Sequence, residues 1–154
     1  MTATGLRESV ENSLRRLGAG WIDILFLHEP SLERIAAPGA LLEELISLRQ
    51  RGLITHFGLA GKWPGIESLG PFARDAGEIV QTGESEWPET SPPAITYGAI
   101  SQASQHYFAP AVDATSAAQR LRAALDRRPN GVVIVSTSKP GNLRLLAEAA
   151  ASKP

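Results

Sequence analysis

The chain has 154 residues, fifteen basic and sixteen acidic, for a net charge of -1 at pH 7, and it has no cysteine. The length fits one domain with a sizeable core, and the charge balance excludes a nucleic-acid or membrane binder that works through a basic patch. Disulfides and cysteine-ligated metal are excluded as well, no apolar run reaches the ~18 residues of a membrane span, and the amino terminus is not built like a signal peptide, so the expectation is a cytoplasmic protein.

Residues 4 to 17 carry Leu6, Val10, Leu14 and Leu17 at spacings of four, four and three. That pattern predicts a helix with one apolar face, capped by Thr4 and ended by Gly18, with Glu11 and Arg15 paired on the wet side. Trp21 to Pro30 (WIDILFLHEP) follows: six of its first seven residues are apolar, as in a strand buried on both faces of a parallel sheet. Alternation puts Ile24, Phe26 and His28 on one face and Asp23, Leu25 and Leu27 on the other. His28 thereby comes to the carboxyl end of the strand, where parallel sheets carry their chemistry.

Pro38 and Gly39 open a second helix with Leu41, Leu42, Leu45, Ile46 and Leu48 inward, Glu43, Glu44, Arg49 and Arg51 outward, and Gly52 at its end. Leu53 to Leu59 reads as a strand, residues 60 to 65 as a turn, and 66 to 76 as a helix broken or kinked at Gly70-Pro71. Glu78 to Gln81 is a short strand, residues 82 to 93 are a proline-rich loop, and Ala94 to Tyr97 is another strand. Gly98 to Thr115 has no periodicity, which is long for a connection inside a compact domain. Ser116 and Gln119 form a capping box for a helix through Arg127, with Leu121 and Leu125 inward. Val132 to Val135 is a β-branched strand, and Pro140 starts a final helix carrying Leu143, Leu146, Ala147 and Ala150. Strand and helix alternate, so the expected class is α/β, a parallel sheet of about five strands with helices outside.

Three stretches carry a resemblance. SLRRLGAGWIDILFLHEP (Ser13 to Pro30), ALLEELISLRQRGLITHFGLA (Ala40 to Ala60) and VVIVSTSKPGNLRLLAEAA near the carboxyl terminus resemble, in order, successive segments of the aldo-keto reductases, from before the fourth strand to the helix behind the eighth. The resemblance implies a (β/α)8 TIM barrel that reduces carbonyl compounds with NADP(H) through a catalytic group of Asp, Tyr, Lys and His. His28 matches the histidine; the other three have no counterpart, and the only tyrosine besides Tyr97 is Tyr107, with no lysine beside it. The expectation is therefore a single truncated domain over residues 1–154: a partial TIM-barrel-like sheet that one chain cannot close, inactive in isolation. For the cofactor, Gln81 matches the carboxamide-binding glutamine and Tyr97 the residue stacked on the nicotinamide. Ser136, Thr137 and Ser138 stand where the 2′-phosphate is held, and Asn142 takes the place of a further phosphate ligand. Ala60 and Gly61 replace a Ser-Asn pair, and Leu145 and Leu146 replace a Glu-Asn pair, so binding of NADP(H) is expected to be weakened or lost.

The residues leave two readings open. One is an oxidoreductase that needs the remaining catalytic groups from another polypeptide. The other is a non-catalytic remnant, a pseudoenzyme that binds a phosphate or nucleotide at residues 136 to 142. In either case the open sheet edges favour a homo-oligomer or a complementing chain. Ser136 to Lys139 also reads as an ordinary polar turn and helix cap, and Gln81 and Tyr97 as ordinary strand residues. Glu29, which points away from His28 in a strand, reads as a loop acid, and His56 and His106 as structural or solvent-facing. No histidine pair has metal-ligand spacing, so no metal site is expected.

Overall fold

The computed structural model describes residues 1–88, 90–91, 93–100, 114–137 and 139–151. The aperiodic segment, with His106 and Tyr107, lies largely outside the described residues, and Ser138 lies outside them as well. The elements follow in the order α1 (Ala3–Leu17), β1 (Ile22–His28), a single 3-10 turn (Leu32–Arg34), α2 (Pro38–Gln50), β2 (Ile54–Ala60), α3 (Trp63–Glu67), α4 (Pro71–Ala76), β3 (Ile79–Gly83), β4 (Ile95–Tyr97), α5 (Ala114–Arg127), β5 (Val132–Ile134) and α6 (Pro140–Ala151). The strands belong to one five-stranded sheet in the order β1-β2-β3-β4-β5, with β1 parallel to β2, β3 to β4, and β4 to β5. The fold is α/β, and the chain divides into two compact units, Met1–Val80 and Gln81–Pro154, with the boundary inside β3.

In the first unit, Leu6, Val10 and Leu14 of α1 and Leu41, Leu45 and Leu48 of α2 are buried with Leu27 of β1 and Phe57 and Leu59 of β2. Register pairs Leu25 with Phe57 and Leu27 with Leu59, so one face of the β1-β2 pair meets the helices. The helix ends are set locally. Thr2, rather than Thr4, caps α1 by accepting the Gly5 N–H at 3.1 Å, and Gly18 ends it in the left-handed region at φ 64°. Leu17, expected on the inner face, is exposed. Glu11 pairs with Arg51 instead of Arg15, and Arg15 donates to Asn12.

Two further expectations are corrected, and the expected break at Gly70-Pro71 is met. β1 is an end strand with a single fully buried residue, Leu27, so it is not sheathed on both faces, and Trp21 stands exposed before it. Glu44, expected to face out, is buried against Arg7. The stretch 66 to 76 is two short helices separated at Gly70, whose φ of 56° suits glycine, with Pro71 starting the second.

In the second unit, Ala117 and Leu121 of α5 and Leu146 of α6 are buried against Val133 and Val135. Thr96 is in register with Thr82 on one side and Val133 on the other, so these three side chains share the helix-covered face. The opposite face carries Gln81, Ile95, Tyr97, Val132 and Ile134. Helix α5 begins at Ala114, so Ser116 lies within its first turn and is not its cap. Leu143 is exposed rather than packed.

The helix-covered face holds a polar cluster. Arg128 is almost fully buried and donates to Thr96 Oγ1 at 2.6 Å and to the Ala94 carbonyl at 2.8 Å, while its Nη1 stands 3.8 Å from Glu84 Oε2. Burial pulls the Arg128 guanidinium below its ordinary range, opposed by the charge of Glu84. The guanidinium groups of Arg127 and Arg128 lie over the Trp87 ring at 4.7 and 5.8 Å from its centroid.

Candidate functional site

His28 and Tyr97 each end a strand, Gln81 lies within β3, and Ser136 and Thr137 follow β5. In the first unit, His28 is the last residue of β1 and lies in register with Ala60, the last of β2. It shares the face of Ile24 and Phe26, away from the helix-packed core, and it is exposed. An exposed imidazole at a strand end is free of the core role that an apolar strand suggests.

The next residue departs from regular backbone. Glu29 has φ 45°, the left-handed region, and is the one non-glycine residue there among the described residues. Its N–H donates to the Ala60 carbonyl at 2.7 Å, which extends the β1-β2 pairing by one residue and holds the bend. Such a conformation costs on the order of 1–3 kcal/mol for a side-chain-bearing residue and marks a position that the surroundings enforce. Beyond it, Glu29 and Pro30 face Gly61, Lys62, Pro64, Gly65 and Ile66 across a cleft of about 300 Å³. Sequence reading missed Glu29 and Lys62, since a glutamate before a proline reads as an ordinary loop acid. The available signal was its place, directly after a strand's terminal histidine.

In the second unit, Gln81 and Tyr97 stand on one sheet face, the one opposite α5 and α6. Gln81 is in register with Ile95 and Tyr97 with Gly83 and Ile134, so the two side chains sit diagonally on neighbouring strands, both half-buried. Ser136 and Thr137 are exposed in the link from β5 to α6. There the Lys139 N–H donates to Thr137 Oγ1 at 3.2 Å and the Asn142 N–H to the Lys139 carbonyl at 3.0 Å. The first turn of α6 contains no acidic residue, so nothing there opposes an anion beside its free amides. His28 thus belongs to the first unit, and Gln81, Tyr97, Ser136, Thr137 and Asn142 to the second. Among the described residues no group of three or more His, Asp or Glu side chains is arranged to hold a metal, and no helix is long and apolar enough to cross a membrane.

No protein-family model matches this chain, and no curated protein matches it. Solved structures do. An aldo-keto reductase from Bacillus halodurans in its apo form superposes with a TM-score of 0.72 at 17% identity, over 99% of this chain and 64% of that one. The glycerol dehydrogenase of Gluconobacter oxydans gives 0.71 at 18% identity, over 99% and 61%. The fold is that of part of an aldo-keto reductase. An aldo-keto reductase from Klebsiella pneumoniae in complex with NADPH gives a TM-score of 0.67 at 20% identity, over 95% of this chain and 58% of that one. The chain therefore spans about three-fifths of the length of the aldo-keto reductases it matches. At this level of identity the likeness concerns the fold, and what the residues do rests on their own placement.

Proposed function

We propose that the chain is an aldo-keto-reductase-like protein, related to NADP(H)-dependent carbonyl reductases, that holds the nucleotide weakly and does not reduce carbonyls as an isolated chain. The observation that carries this reading is the shared face of Gln81 and Tyr97: a half-buried aromatic ring with an amide diagonally beside it suits a flat, amide-bearing ring. The link after β5 supports the other end of the same ligand, because Ser136 and Thr137 offer hydroxyls, Asn142 an amide and Lys139 a charge beside the start of α6. Ser138 is assigned to this group by the resemblance alone. When bound, the nucleotide would supply the reducing equivalent.

The limit on catalysis lies in the proton. His28, exposed at a strand end, suits a hydrogen bond to a carbonyl oxygen. Reduction also needs an acid to protonate that oxygen, a contribution of roughly 10²- to 10⁴-fold, and the 154 residues hold no match for the family's Tyr with its Lys and Asp. The weakness of the nucleotide grip is supported by Leu146, which stands where the family meets the adenine but is buried in the core of the second unit. Val132 and Ile134, exposed on the end strand β5, support association through the sheet, with a second copy or a chain bringing further strands.

NADPH fluorescence titration of the full chain tests the reading. A saturable enhancement that Tyr97→Ala removes, with no aldehyde-dependent loss of NADPH absorbance, is the expected result. Absence of saturable binding overturns the nucleotide assignment, and NADPH oxidation by a simple aldehyde overturns the assignment of inactivity.

A further inference from the structure

The cleft of the first unit is lined only by residues between 29 and 66, and of the positions that the resemblance gives to the cofactor it includes only Gly61. Pro30, Pro64 and Ile66 supply apolar walls, Gly61 and Gly65 supply backbone, and the remaining two lining residues, Glu29 and Lys62, carry opposite charges. Elsewhere in this unit opposite charges that come near each other pair: Arg7 with Glu44, Arg49 with Glu78, Arg51 with Glu11. Among the described residues Glu29 and Lys62 form no such pair, although they line the same cleft of about 300 Å³. Glu29 is held at φ 45° by its bond to the Ala60 carbonyl, and its Cγ lies beside Gly61.

We propose that this cleft binds a small dipolar molecule, one with a cationic and an anionic group joined by an apolar frame, its cation toward Glu29 and its anion toward Lys62. An apolar wall between two separated charges of opposite sign favours that ligand over a singly charged one, which would leave one side chain unmatched. The volume, at the small end for ligand sites, limits the class to compact molecules.

The test is an NMR titration of the amide resonances of the full chain with ε-aminocaproate, against caproate and hexylamine as singly charged controls. The proposal expects saturable shifts at Gly61, Lys62 and Gly65 with ε-aminocaproate and several-fold weaker binding of either control. Glu29→Gln and Lys62→Met, both substitutions of exposed side chains, should each weaken ε-aminocaproate to the level of one control while the remaining resonances stay in place. No saturable shift, or equal binding of the three compounds, overturns it. Neither outcome bears on NADPH binding, which is read separately by fluorescence.

Discussion

Arg7 on α1 and Glu44 on α2 meet in a two-pronged pair: the Arg7 Nε donates to Glu44 Oε1 at 2.8 Å and its Nη2 to Oε2 at 2.6 Å. The carboxylate is buried and the guanidinium half-exposed, so Glu44 meets its charge requirement through one partner that reaches in from the surface. The hydrogen bonds from Arg7 hold the Glu44 carboxyl below its ordinary value of 4.5, against the opposing pull of burial.

Because Glu44's folded pKa lies below the unfolded one, its contribution to stability is present in full above about pH 4.5 and is lost as pH falls through the lower folded value. Denaturant unfolding should therefore separate the wild type from Glu44→Gln clearly at pH 7 and by a smaller margin at pH 3. A gap unchanged between those two conditions would count against the pair as the source.

Among the described residues Arg128 is the most deeply buried charge in the second unit, bonded to Thr96 and Ala94 and near Glu84. Arg128→Met keeps much of the stem but removes the hydrogen bonds to Thr96 Oγ1 and the Ala94 carbonyl, while Glu84 keeps Arg127 at 3.2 Å. Leaving a buried hydrogen-bonding partner unsatisfied costs roughly 1–3 kcal/mol. A loss of that order should appear as a lower urea midpoint, and an unchanged midpoint would count against the role of these bonds.

Gly58 sits where β2 passes Ile79. A Cβ placed there would fall 2.0 Å from the Ile79 carbonyl oxygen, a backbone atom that cannot swing aside. Gly58→Ala should destabilise the first unit by at least about 1–3 kcal/mol, the usual cost of overpacking, and circular dichroism melts of the variant read that directly.

Val132 and Ile134 face out from the end strand β5 at 55% and 43% exposure. If the chain associates through that strand, sedimentation should show a mass above the monomer at micromolar concentration, and Ile134→Lys should return it to the monomer with little change in far-UV circular dichroism. A monomeric wild type across that range would remove the self-association reading.

Several elements were legible before any coordinates. The spacing of Leu6, Val10 and Leu14 names the buried face of α1, Gly18 names its end, and Leu41, Leu45 and Leu48 name the core of α2. The break at Gly70-Pro71 was visible as a pair that a helix interior rejects. Glu44 was not legible, since its stripe position predicts exposure and only the arrival of Arg7 from another helix makes burial tolerable. Gln81 and Tyr97 could be named from the resemblance, but that they share a face depends on strand register. For Glu29 the alternation rule failed, because the strand ends one residue earlier and the chain turns through a left-handed bend.

By itself the sequence determined the alternation of helices and strands, the faces of α1 and α2 that become core, and the place of His28 at a strand end. Those properties follow from residue spacing within one element, where neighbours a few positions apart decide the outcome. Only the tertiary structure decided that Glu44 would be buried, that Arg128 would reach Thr96, and that Glu29 and Lys62 would line one cleft. Each of these joins residues about thirty or more positions apart, and a pairing at that range is set by packing and register, which local pattern does not encode.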